Sequence, residues 1–68
     1  MSRKAMKESL TYDLKAQLET QIIDKALHDK ALSVVNTLTD DDWKDIDNMS
    51  TVEAADMVLS IARIRQGA

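Results

Sequence analysis

The chain has no proline, and its only glycine, Gly67, stands next to last. Nothing covalent therefore interrupts a helix between Ser2 and Gln66. Cysteine is also absent, which excludes disulfides and thiolate metal sites and suits a reducing compartment. The single histidine, His28, cannot build an imidazole cluster. Phenylalanine is missing and the aromatics reduce to Tyr12 and Trp43, so a core has to come from Leu, Ile, Val, Ala and Met. The basic start Arg3-Lys4 leads into no apolar run of the kind found in a signal peptide or membrane span. The expected setting is cytoplasmic, with no membrane contact.

At 44% hydrophobic and 31% charged, the 68 residues have the composition of a folded domain rather than a disordered segment. Only one small domain fits this length, and such a domain buries only about 60% of its unfolded surface. Small folds usually need disulfides, a metal, oligomerisation or unusually good helix packing. Here the last two remain.

The reading is all-α, with three helices. Lys, Ala, Leu, Glu and Gln fill residues 3–37, which are expected to form one long helix. Met6, Leu10, Leu14, Leu18 and Ile22 recur every four residues, a stripe that drifts by about 40° per step. The pattern restarts on another side with Ile23, Leu27, Ala31, Val34, Val35 and Leu38. Either the helix breaks near Glu19 to Gln21, or it continues and meets different neighbours. With no glycine or proline there, continuity is the expectation.

Thr39 can cap a second, short helix over 40–47. Asp40, Asp41 and Asp42 occupy its first turn, where exposed amides favour negative charge. Leu38 and Trp43 have the spacing of a hydrophobic staple. Ser50 followed by Glu53 forms a capping box for a third helix over 51–66, ending where Gly67 permits. The apolar residues of this helix, Val52, Ala54, Ala55, Met57, Val58, Leu59, Ile61, Ala62 and Ile64, cover most of its circumference. A helix of that kind is buried on more than one side.

A continuous first helix would be about 52 Å long and the third about 24 Å. The uncovered length predicts a homo-oligomer, a dimer first, that completes the bundle. Its interface is assigned to Leu10, Leu14, Leu18, Val58, Leu59, Ile61 and Ile64.

No chemistry-bearing motif emerges. A calcium loop begun at Asp45 has Ser50 where glycine is required, so metal binding is not expected. His28 lies near Asp24 and Asp29 with no nucleophile or oxyanion donor, and no catalysis or cofactor is expected. Net charge is -3, distributed as an acidic middle between basic ends. Asp40, Asp41, Asp42, Trp43, Asp45 and Asp47 form a candidate face for a protein partner, and charge complementarity would favour a basic one. Trp43 has two roles open to it, a staple locked to the core or an exposed anchor. Arg3, Lys4, Lys7, Arg63 and Arg65 would contact nucleic acid if the ends meet, but the outline of a helix-turn-helix here has an acidic, apolar second helix.

The function expected is therefore that of a small interaction module, an adaptor, regulator or inhibitor, and not an enzyme. The alternatives are a nucleic-acid-binding helical dimer and a structural or assembly subunit.

Overall fold

At Gln21 the backbone turns into the left-handed region, with φ of 61°, and this residue sets the architecture. In the computed structural model, which describes residues 2–67, the expected long helix is two helices. Helix α1 spans Arg3–Glu19 and α2 spans Lys25–Asn36. The Gln21 amide donates to the Leu18 carbonyl at 3.1 Å and the Ile22 amide donates to the Gln17 carbonyl at 2.9 Å. This pairing is a Schellman stop, in which the left-handed position usually holds glycine. Asp24 then starts α2, its Oδ1 accepting from the Leu27 amide at 2.8 Å. A left-handed non-glycine residue costs about 1–2 kcal/mol. The satisfied carbonyls and the burial of Ile23 and Leu27 offset it.

The break corrects the expectation of continuity, and the drifting stripe supplies its physical reason. Met6, Leu10 and Leu14 are buried, Leu18 is half-buried, and Ile22 has rotated out to 70% exposure. Continuing the same rod would have carried the next apolar residues away from the core. The turn re-aims the chain, so that Leu27, Ala31, Val34 and Val35 all face inward.

Helix α3 covers Asp40–Ile46 and α4 covers Thr51–Gln66. Both start on capping boxes: Thr39 with Asp42, and Ser50 with Glu53. Trp43 and Ile46 are buried and hold α3 to the core, while Leu38 packs at its edge. Gly67 closes α4 with φ of -84°, a conformation open to any residue, so the expected use of glycine's freedom is not realised there.

Side-chain contacts fix the helix directions. Arg3 at the start of α1 meets Asp40, just past the end of α2, so α1 and α2 are antiparallel. Arg65 near the end of α4 donates to Thr37 Oγ1 at the end of α2, so α2 and α4 run parallel. Helix α2 packs most extensively on α4, and α1 packs against both.

The resulting body measures 28 × 26 × 16 Å, with a radius of gyration of 11.1 Å. Its accessible surface is 4440 Å² for 7.6 kDa, beside roughly 4,300 Å² for a folded monomer of that mass. The mismatch of helix lengths that motivated an oligomer therefore disappears. Of the residues assigned to its interface, Leu10, Leu14, Val58 and Leu59 lie inside the chain's own core. Leu18 and Ile61 are half-buried against that core, and Ile64 alone stands out at 74% exposure. The seemingly all-round apolar α4 resolves into an inward face of Ala54, Ala55, Val58, Leu59 and Ala62, with the other apolar residues at its edges or in the open.

Candidate interaction surfaces

The acidic face assigned from sequence is largely engaged within the chain. Asp42 accepts from the Thr39 amide at 3.0 Å while the Thr39 hydroxyl accepts from the Asp42 amide at 3.2 Å. Asp40 pairs with Arg3 at 2.9 Å. Asp41 lies 3.9 Å from Lys44, an exposed pair of little energetic weight. Asp45 and Asp47 are exposed. Trp43 is buried to 4%, which fits the staple role and withdraws it from any partner-facing surface. The Arg3 guanidinium and the Lys7 ammonium each sit 5.8 Å from the centre of its ring, within range of cation–π attraction.

The basic residues read as candidate nucleic-acid contacts do converge. Arg3, Lys7 and Arg65 all reach residues between Thr37 and Trp43. Of the three, Arg3 alone is paired with a carboxylate there, that of Asp40, while Lys7 lies over the Trp43 ring and Arg65 bonds Thr37. Lys4 and Arg63 are exposed.

His28 is half-buried, with Nδ1 3.1 Å from Asp29 Oδ1. Hydrogen bonds from His28 first and Lys25 second hold the Asp29 carboxyl below its ordinary 3.8. Asp24, which its spacing pairs with His28, is committed instead to capping α2. Among the described residues, no three histidine or acidic side chains gather in a way that could hold a metal ion.

A different surface stands out. On the flank of α1 lies an open groove of about 630 Å³, lined by Glu8, Ser9, Tyr12, Asp13, Ala16, Gln17, Thr20, Ile22 and Thr51. Thr51 at the head of α4 lies beside the last turn of α1, as antiparallel packing of those helices requires. Tyr12 is 78% exposed and Ile22 70% exposed, the two large apolar side chains of the groove. Its carboxylates are Glu8 and Asp13, the latter accepting from Gln17 Nε2 at 2.8 Å. No lysine or arginine lines it.

Sequence reasoning placed Ile22 within the first apolar stripe, and so missed this groove. The signal was present in the drift of that stripe, which points Ile22 away from Met6 and Leu10. Comparison with protein-family models, curated proteins and solved structures finds no match to this chain. Among the described residues, no helix is long and apolar enough to cross a membrane.

Proposed function

We propose that the chain is a small helical interaction module that acts by binding a partner protein, with the Tyr12–Ile22 groove as its principal contact surface. The observation that carries this reading is that two of the four exposed large apolar side chains among the described residues, Tyr12 and Ile22, line one depression that also holds Glu8 and Asp13. Exposing Tyr12 and Ile22 contributes nothing to the core, whereas an aromatic in a groove is the usual anchor of a protein contact. The matching partner presents an apolar side chain flanked by positive charge. Asp41, Asp45 and Asp47 add negative potential on α3 and the turn after it, and steer the same kind of partner.

The nucleic-acid reading has less support, because Arg3 is already paired with Asp40 and the chain carries a net charge of -3. Capture from host extract on immobilised protein separates the two. A protein retained after nuclease treatment, and lost with Tyr12→Ser/Ile22→Ser, supports the groove. Recovery that disappears with nuclease supports nucleic acid. Retention unaffected by the double substitution overturns the groove as the contact surface.

A further inference from the structure

The last turn of α4 carries the complement of the groove. Ile64 is 74% exposed, and Arg63 and Arg65, both exposed, flank it in sequence. On a helix they splay about 100° to either side of it. One and two turns earlier, half-buried Ile61 and Met57 continue the same apolar ridge. An apolar knob between two guanidinium groups matches a depression with two apolar walls and two carboxylates.

The chain cannot bring these parts together by itself. The groove borders Thr51, the first residue of α4, whereas Ile64 lies in its last turn. A helix of 16 residues separates its ends by about 24 Å. The end of α4 is moreover anchored at Thr37, by the hydrogen bond from Arg65 at 3.2 Å. Any occupant of this kind therefore comes from another molecule.

We propose that the groove accepts the C-terminal turn of α4 from a second copy of the chain. Ile64 inserts between Tyr12 and Ile22, and Arg63 and Arg65 approach Glu8 and Asp13. This inference rests on the groove being a binding site and names its occupant. Donor and acceptor are different surfaces, so the contact is head to tail and propagates into chains or closes into rings. A symmetric groove-to-groove contact would instead bring Glu8 and Asp13 of the two copies together. One helix end in one groove buries less than the roughly 1,200 Å² of a stable complex, so association belongs to high concentration and weakens with salt.

The test is sedimentation of the full chain from micromolar to millimolar concentration, alone and as variants. Tyr12→Asp disables only the groove and Ile64→Asp disables only the knob. Both positions are exposed, and circular dichroism checks that each variant keeps its helices. The native chain is expected to grow past two copies as concentration rises, and less so in high salt. Each variant alone should associate about tenfold more weakly or worse. An equimolar mixture should recover a species of two chains and stop there, because each variant supplies the part the other lacks.

A native chain that remains single at millimolar concentration overturns self-docking, and so does an Ile64→Asp variant that associates normally. A mixture that stays single after both variants have lost association points to a symmetric contact and also overturns it. The groove reading itself fails separately, through partner capture that ignores Tyr12→Ser/Ile22→Ser.

Discussion

Tyr12 and Trp43 are the only aromatic residues of the chain, and the fold treats them in opposite ways. Trp43 follows a capped turn of three aspartates and is drawn inside, with Arg3 and Lys7 over its ring. Tyr12 sits on α1 among Glu8, Asp13 and Ala16 and projects from the surface. The residue class does not decide the difference; helical phase does. Tyr12 lies two positions after Leu10 and two before Leu14, so it points about 160° around the helix from each of these buried neighbours. Trp43 occupies the fourth position of its helix, where a staple with Leu38 turns it toward the core. Charge differs as well: Arg3 beside Trp43 is paired with Asp40, whereas no salt bridge involves Glu8 or Asp13 beside Tyr12 among the described residues.

The strongest way to break this contrast is truncation of both aromatics. Trp43→Ala should cost about 3–5 kcal/mol, a large share of the roughly 3–10 kcal/mol expected for a domain of this size. Tyr12→Ala should fall within about 0.5 kcal/mol of the native chain. Urea unfolding followed by circular dichroism measures both, and comparable costs would mean that Tyr12 is also structural.

Next come the caps that aim the two regions. Asp24→Ala and Thr39→Ala should each cost about 1 kcal/mol, read from the same transitions. Gln21→Gly should raise stability by about 0.5–1 kcal/mol, because glycine relieves the left-handed strain while loosening the unfolded chain. A loss of stability on that substitution would argue against a turn at Gln21.

The smallest effect concerns pH. The Asp29 carboxyl is held below 3.8 by His28 and Lys25, so the folded state favours its ionised form. That contribution is present above the unfolded value and fades as pH falls through the acid range. Asp29→Asn should therefore slightly flatten the acid limb of a stability-against-pH curve. An unchanged limb would leave the His28–Asp29 contact without energetic weight.

Much of this architecture is legible in the amino-acid sequence. The capping boxes are local: Thr39 and Ser50 announce α3 and α4 by residue type and spacing alone. The inward stripe of α2 was legible for the same reason. The stop at Gln21 falls where the sequence leaves a break open, between Glu19 and Gln21, but continuity is the expectation there because glutamine carries no marked preference for the left-handed region. Two weaker signs stood beside it, the restart of the apolar pattern at Ile23 and the capping ability of Asp24. Once continuity was assumed, the length mismatch followed, and with it an interface that included Leu10, Leu14, Val58 and Leu59, which the fold buries. The groove was hidden for a different reason. Part of its wall is Thr51, which comes to rest beside the end of α1 although some thirty positions separate them in the chain.

Dilution tests the central claim, that one chain closes its own core and keeps Trp43 inside it. Trp43 emission and helical circular dichroism, followed by sedimentation at low micromolar concentration, should show a folded 7.6 kDa particle. The emission should be blue-shifted and the unfolding midpoint independent of concentration. Helicity that falls on dilution, with emission shifting to the red, would contradict the account and return the core to an assembly of chains.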